Sequence, residues 1–311
     1  MKILFATKTN LLLQRALQKA GHKCEVTILK NSEELKPIIA QYDGIVINSR
    51  FVIDKTLIDM APRLKFVARI GAGMENIDVD YLKSNGIRCF NSPEGNRNAV
   101  AEHTLGMMLA LLHNVRSADS QIRNGKWLRS ENKGTEFIDK KVVIIGHGNM
   151  GSQLAEYLGK LHMFVYAYDK YKKDWGFEHA ENIPLKQVFE EADIVSIHVP
   201  LTEETHYMVN DAFIKSFKKN IYLINTSRGQ VVNTADLVKN LKSGKVLGAG
   251  LDVLEYESPN FERLAIEDYP EPLQYLISAP NVILTPHIAG LTKEADLKHA
   301  KVLADKILNA F

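Results

Sequence analysis

Short apolar runs alternate along this chain with segments whose apolar residues recur at helical spacing. Residues 2–7 read as a strand and 11–20 as a helix closed by Gly21; further strands are expected at 25–29, 44–48, 66–70 and 87–90. A helix follows Ser32, whose hydroxyl is placed to cap it while Glu33 and Glu34 fill the first turn. Strands separated by helices of this length predict βαβ units and a mostly parallel sheet. The rhythm then breaks. Residues 99–115 form a long, largely apolar helix with no strand before it, and a second helix at 117–125 follows. A new series of strands is expected at 142–145, 164–168, 194–199, 222–225, 247–253 and 282–284. The last helix, 293–311, shows an apolar stripe through Leu297, Val302, Leu303 and Ile307. The pattern predicts an α/β chain of two doubly wound parallel-sheet lobes, joined near residue 95 and again near residue 287.

Composition narrows the class without naming a function. With 311 residues, 45% of them hydrophobic and 24% charged, the chain is long enough for one large domain or two ordinary ones and is not disordered. The 39 Lys and Arg nearly cancel the 37 Asp and Glu, so nothing in the balance asks for nucleic acid or an anionic membrane surface. Cys24 and Cys89 form no CxxC pair, which suits a reduced compartment better than a disulfide framework. The first residues lack the apolar core of a signal peptide, and no apolar stretch approaches the ~20 residues of a membrane span. A soluble cytoplasmic protein is expected, and no metal cluster is read from the sequence.

The strongest local motif is Gly146-His147-Gly148-Asn149-Met150-Gly151, which follows an apolar strand and opens a helix expected at 152–161. In such a loop the first glycine permits the tight turn, the second lets backbone approach a pyrophosphate, and the third lets helix and strand pack closely. The helix N-terminus offers free N–H groups and the positive end of its dipole. Asp169 ends the next strand 169 − 151 = 18 residues beyond the last glycine, close to the spacing at which an acid holds a ribose 2′-OH. Its carboxylate would repel a 2′-phosphate, so NAD is expected rather than NADP; Lys170, Lys172 and Lys173 argue the other way. The loop lies mid-chain, so the first lobe is something other than the dinucleotide domain.

Three polar residues stand after late strands, where ligands bind in open α/β sheets: Arg228, Glu257 and His287. A guanidinium there can clamp a carboxylate with two parallel hydrogen bonds. Each residue alone also reads as something ordinary: a surface cation, a loop acid, a satisfied turn histidine.

Taken in order, the segments from Arg69 to Asp78, Asn98 to Gly106, Gly146 to Gly151, His198 to Thr202, Asn225 to Gly229, Gly250 to Val253 and Thr285 to Gly290 closely resemble the D-isomer-specific 2-hydroxyacid dehydrogenases. That family includes 3-phosphoglycerate dehydrogenases and glyoxylate or hydroxypyruvate reductases. The resemblance implies a Rossmann dinucleotide domain, 96–287, inserted into a flavodoxin-like substrate domain, 1–95 and 288–311, to which the last helix returns. It implies that Arg228 holds the substrate carboxylate and polarises its keto oxygen. His287 is the implied acid–base residue and Glu257 its partner, with Glu255 a lesser candidate. Ala72 and Gly73 would offer backbone N–H groups to the carboxylate, and Asp252 would bind the nicotinamide carboxamide. The implied cofactor set also includes His198, Pro200, Thr205, Thr226, Ser227, His287 and Gly290. Active members of the family are usually dimers through the dinucleotide domain.

The chemistry is coherent: oxidation moves a hydride from C2 to nicotinamide, and the hydroxyl proton needs a base that a neighbouring carboxylate supports. Departures from the family concern the substrate. The link from Glu257 to His287 is long, 287 − 257 = 30 residues, and Ser258 stands where proline often follows the glutamate; an extra surface loop is expected there. Asn48 occupies a position where phosphoglycerate enzymes carry arginine, while Arg50 lies two residues on, sharing a face on an extended segment. Arg69 and Arg97 are further candidates for a substrate phosphate. The sequence ends at Phe311, so a C-terminal serine-binding domain is not expected. The leading expectation is 3-phosphoglycerate and phosphohydroxypyruvate; the alternatives are a small 2-keto acid reductase, or an NAD(H)-sensing binding protein like the corepressors that share the fold.

Overall fold

The computed structural model describes residues 1–172, 179–258, 263–264 and 268–311. They fall into two compact units. The first comprises Met1–Arg97 and Gly290–Phe311 with the described residues Ser258 and Arg263; the second comprises the described residues of Asn98–Glu257 and Leu264–Ala289.

In the first unit, β1 (Lys2–Phe5), β2 (Lys23–Val26), β3 (Gly44–Ile47), β4 (Phe66–Arg69) and β5 (Arg88–Phe90) form a parallel sheet in the order β2-β1-β3-β4-β5. This is the flavodoxin-like order. Central strands β3 and β4 are buried throughout, because helices cover both faces. One face packs Leu4, Ile45, Ile47 and Val67 with Phe51, Leu57 and Leu82. The other packs Ile3, Phe5, Val46 and Phe66 with Leu13 and Leu17 of the helix Leu11–Lys19 and with Leu303 and Ile307 of the helix Lys293–Leu308.

The elements of this unit depart from the expected ones in informative ways. Strand β2 begins two residues early, at Lys23, because its register follows β1 (Lys2 opposite Lys23), and as an edge strand it carries little apolar pattern. Asn31, not Ser32, caps the next helix by accepting from the Glu33 and Glu34 amides, while the Ser32 hydroxyl donates to the Val52 carbonyl. The last helix ends at Leu308 and buries Ala295, His299, Ala300, Leu303, Ala304 and Ile307; Leu297 is 48% exposed. Its alanines share the buried face with Leu303 and Ile307, which pack against Leu13 and Leu17 of the helix Leu11–Lys19.

In the second unit, β6 (Lys141–Ile145), β7 (Phe164–Tyr168), β8 (Glu181–Asn182), β9 (Ile194–Ile197), β10 (Ile221–Asn225), β11 (Val246–Leu251) and β12 (Val282–Leu284) pair in parallel. Their order is β12-β11-β10-β9-β6-β7-β8. The direction of winding reverses between β6 and β9, which is where an open α/β sheet binds its ligand. The helix expected at 99–115 runs Pro93–Leu112: Pro93 supplies a preset first turn, and the polar residues Glu94 to Asn98 hide that turn from an apolar pattern. Asn114, at φ 53°, breaks it, and the next helix is Val115–Arg123. The helix after the glycine loop starts at Asn149, three residues before the expected 152. Helices at Leu185–Glu191, Asp211–Ser216, Thr234–Lys242 and Glu271–Ser278 were not anticipated. The last of these, with Leu273 and Leu276 buried, occupies part of the expected surface loop; positions 259–262 and 265–267 of that loop, like Lys173, lie outside the described residues. Among the described residues no helix is long and apolar enough to cross a membrane, and no His, Cys, Asp and Glu cluster could hold a metal ion.

Candidate active site

The glycine loop turns out of β6 with Gly146 at φ 96°, where a Cβ would lie 2.7 Å from the His198 carbonyl oxygen. A Cβ on Gly151 would lie 2.0 Å from the Gly146 oxygen, so helix and strand meet only through glycine. Gly148 differs: a Cβ there would meet nothing within 4 Å, and no side chain caps the helix Asn149–Lys160 that it opens. Open space before uncapped N–H groups fits a pyrophosphate. Asn149, exposed, and Met150, half-buried, lie in that first turn.

Asp169 sits against the same loop. One carboxylate oxygen accepts the His147 amide at 2.9 Å; the other accepts Tyr171 and Lys172 amides at 3.0 and 2.9 Å. Burial works against its charge, but the amides of Lys172, Tyr171 and His147 outweigh it and hold the carboxyl below its usual range. Lys172 Nζ lies 3.4 Å from the His147 carbonyl oxygen, and Lys170 pairs with Glu204. Burial, reinforced by Lys172, pushes the His147 imidazole down to about 4.

After β9, His198 Nε2 lies 2.8 Å from Ser196 Oγ, and burial pushes this imidazole down to about 4 as well. The exposed Pro200 begins a turn that Thr205 closes, its hydroxyl donating to the Pro200 carbonyl at 2.6 Å. After β10, Ser227 donates through both N–H and hydroxyl to Asn225 Oδ1, and Thr226 Oγ1 lies 3.1 Å from Thr104 Oγ1. Asn225 Nδ2 in turn donates to the Arg228 carbonyl at 2.9 Å, so one asparagine side chain shapes the turn that presents Arg228. Arg228 is half-buried, with Nη1 donating to the Ser227 carbonyl at 2.6 Å.

The loops after β10 and β11 are locked together at Gly229, where a Cβ would lie 2.0 Å from the Leu254 oxygen. Glu257 follows. Its Oε1 accepts the Leu254 amide at 2.6 Å, and its Oε2 lies 2.7 Å from His287 Nδ1. His287 takes a left-handed backbone, φ 55°, which a non-glycine residue adopts at a cost and which clusters at functional sites. What holds it there is Asp252, 1% exposed. The Asp252 carbonyl accepts the His287 amide at 2.7 Å, and its carboxylate accepts the Thr285 hydroxyl at 2.6 Å and the Ile288 and Ala289 amides, each at 2.9 Å. His103 Nε2 lies 3.1 Å from Thr285 Oγ1 and 3.5 Å from Asp252 Oδ1. The carboxylate thus orders the His287 loop through three accepted hydrogen bonds. Glu255 is not the partner of the histidine; it accepts from the Tyr207 hydroxyl at 2.6 Å and the Thr234 amide at 2.9 Å. His103 and Thr285 lie in two of the family-like segments, but nothing in the sequence pairs them, since only the packing of the long helix brings His103 to the end of β12.

The first unit holds the remaining expected residues. Ala72 and Gly73 lie half-buried in the turn after β4, and neither amide donates to any group among the described residues. The loop carrying Arg50 is tied to that turn: the Ile53 amide donates to the Asn76 carbonyl at 2.8 Å and the Asp78 amide to the Ile53 carbonyl at 2.9 Å. Arg50 itself is exposed. Asn48 is engaged locally, donating to Thr7 Oγ1 at 3.0 Å and accepting the Arg50 amide at 3.1 Å. Arg69 is buried at 5% exposure with Nη1 beside Gly71, and Arg97 is exposed. Gly290 also belongs to this unit, where a Cβ would lie 2.4 Å from Asn96 Nδ2.

Residues 105–289 match the sequence profile described as D-isomer specific 2-hydroxyacid dehydrogenase, NAD binding domain. The chain is 34% identical over 314 residues to a D-3-phosphoglycerate dehydrogenase of Archaeoglobus fulgidus, covering 99% of this chain and 57% of that protein. It is 35% identical over 275 residues to a hydroxypyruvate reductase of Thermotoga maritima, covering 88% of this chain and 87% of that protein. The crystal structure of a D-lactate dehydrogenase from Aquifex aeolicus, complexed with NAD and lactic acid, superposes with a TM-score of 0.83 at 28% identity, covering 100% of this chain and 95% of the other. The chain spans little more than half the length of the archaeal relative.

Proposed function

Because this chain belongs to the D-isomer-specific 2-hydroxyacid dehydrogenase family, we propose that it is an NAD-dependent oxidoreductase interconverting a D-2-hydroxy acid and its 2-keto acid. The observation that carries this reading is the His287–Glu257 pair, 2.7 Å apart, in the loops beyond β11 and β12. NAD supplies the acceptor for the C2 hydride in oxidation and, reduced, the donor in the reverse direction. The uncapped helix start at Gly148 would hold its pyrophosphate and Asp169 its ribose. In oxidation His287 Nε2 takes the hydroxyl proton; Glu257 keeps the other ring hydrogen on Nδ1 and stabilises the imidazolium. In reduction the imidazolium returns the proton to the keto oxygen while Arg228 holds the negative carboxylate and polarises the carbonyl.

For substrate, the reading is 3-phosphoglycerate and phosphohydroxypyruvate. Exposed Arg50, on a loop hydrogen-bonded through Ile53 to Asn76 and Asp78, a few residues beyond Ala72 and Gly73, supports it as a cation for the phosphate. A second reading, reduction of glyoxylate or hydroxypyruvate, is favoured by Asn48, which stands where a further phosphate cation would be needed and is engaged with Thr7. NADH oxidation by the purified protein with phosphohydroxypyruvate, hydroxypyruvate, glyoxylate and pyruvate, repeated with NADPH, decides between them. Strong preference for phosphohydroxypyruvate, lost in Arg50→Ala, supports the first. Preference for an unphosphorylated acid supports the second, and tight NADH binding without turnover on any of them points to a sensor.

The same proposal includes a homodimer formed through the second unit, whose helix Val115–Arg123 and following segment expose Val115, Ile122, Trp127 (77%) and Ile138. Light scattering on Trp127→Glu should show monomer where the parent shows dimer. Residence in a reducing compartment is supported by two unpaired cysteines.

A further inference from the structure

The two amides offered by Ala72 and Gly73 are aimed by Asn91 and Ser92, which directly follow β5. The Ser92 amide donates to the Gly71 carbonyl at 2.9 Å, and Asn91 Nδ2 donates to the Ala72 carbonyl at 2.7 Å. In a planar trans peptide the carbonyl and the next N–H point in opposite directions. Fixing the Gly71 oxygen therefore fixes the direction of the Ala72 N–H, and fixing the Ala72 oxygen fixes that of the Gly73 N–H. A third bond, from the Gly71 amide to Ser92 Oγ at 3.2 Å, closes the clamp.

The clamp is itself braced by the last helix. His299 Nδ1 lies 2.9 Å from the Ser92 carbonyl oxygen and 2.8 Å from Ser92 Oγ, with His299 6% exposed and Ser92 fully buried. A carbonyl oxygen only accepts, so the ring carries its hydrogen on Nδ1. Two turns further along the same helix, Lys306 Nζ donates to the Asn91 carbonyl at 3.0 Å and pairs with Glu94 at 2.9 Å. Gly95 seats the ring, for a Cβ there would lie 2.3 Å from His299 Nδ1.

We propose that Asn91 and Ser92, braced by His299, are positioning residues that pre-aim the Ala72 and Gly73 amides at the carboxylate of a 2-keto acid; this rests on the functional reading above. None of the three needs to touch substrate. Preset donors avoid the cost of ordering a loop on binding, so loss of the brace should weaken substrate binding and leave the proton-transfer residues untouched.

The test compares Asn91→Ala, His299→Leu and His299→Asn, the last of which keeps an N–H donor near the position of Nδ1. Two readouts are taken: steady-state kinetics with the best 2-keto acid, and amide hydrogen exchange of the peptide spanning 70–75. For Asn91→Ala and His299→Leu the expected result is a KM raised about tenfold, the size of a lost hydrogen bond to a partly buried group, with kcat within about twofold. NADH affinity should be unchanged and exchange at 70–75 faster; His299→Asn should recover most of the KM. Unchanged exchange in both disruptive variants overturns the brace, whether or not the enzyme turns over. Faster exchange with unchanged KM overturns the positioning role, as does a parallel fall of kcat, NADH affinity and melting temperature. If the parent protein reduces no 2-keto acid, the functional reading fails and the substrate role falls with it, while exchange still reports on the brace.

Discussion

His287 Nδ1 lies 2.7 Å from Glu257 Oε2, while Glu257 Oε1 accepts the Leu254 amide at 2.6 Å. Both carboxylate oxygens thus have assigned donors, and the ring cannot rotate without losing its contact to Oε2. Glu257→Gln keeps the volume and an oxygen for Leu254 but turns an N–H donor toward Nδ1. The ring is then driven to carry its hydrogen on Nε2, where it cannot accept the hydroxyl proton. The oxidation kcat should fall about 10²- to 10⁴-fold with NADH affinity retained. Turnover near the parent value would remove Glu257 from its role.

Gly229 tests the packing that sets Arg228 beside the Glu257 loop. A Cβ there would lie 2.0 Å from the Leu254 oxygen, which is backbone and cannot swing away. Gly229→Ala should lower stability by about 1–3 kcal/mol, typical of overpacking, and lower kcat/KM for the acid substrate as the two loops separate. Thermal denaturation and substrate titration read the two effects; a variant unchanged in both would show that the loops part freely.

Asp169→Asn removes a charge but leaves an oxygen for the His147 amide. NADH should bind about tenfold more weakly, with NADPH less disfavoured, since a carboxylate that repels the 2′-phosphate has gone. Fluorescence titration with both reduced cofactors checks this. Equal loss for the two would mean that the carboxylate shapes the loop and does not discriminate.

His147 and His198 give the second unit a defined acid sensitivity. Each is held at about 4, against an ordinary 6.5, mainly by burial. Between those values the unfolded chain binds protons that the folded chain refuses, so stability falls as pH drops through that window and is level above it. Each group contributes a slope of up to about 1.4 kcal/mol per pH unit there. Melting temperatures taken from pH 8 to pH 4 should be flat and then decline, and His198→Asn should shallow the decline. An unchanged slope would assign the acid sensitivity elsewhere.

The sequence by itself determined the class of architecture, because alternating apolar strands and amphipathic helices are local patterns that burial on two faces of a parallel sheet imposes residue by residue. It also carried the glycine loop, since Gly146 and Gly151 stand where no side chain fits, and it carried the ordered motifs that identify the family. Tertiary structure decided the rest. Asn31 caps a helix that Ser32 was expected to cap, a choice between adjacent polar residues made by Val52 from elsewhere in the chain. The last helix buries Ala295, Ala300 and Ala304 beside Leu303 and Ile307 and leaves Leu297 outside, a choice fixed by which face meets the neighbouring elements. Glu257 rather than Glu255 meets His287, and His103 reaches Thr285 across 182 positions of sequence. His299 braces Ser92 across 207. Hydrogen bonds of that span leave no periodic trace: they depend on where two distant backbones come to rest, and only the packed chain settles that.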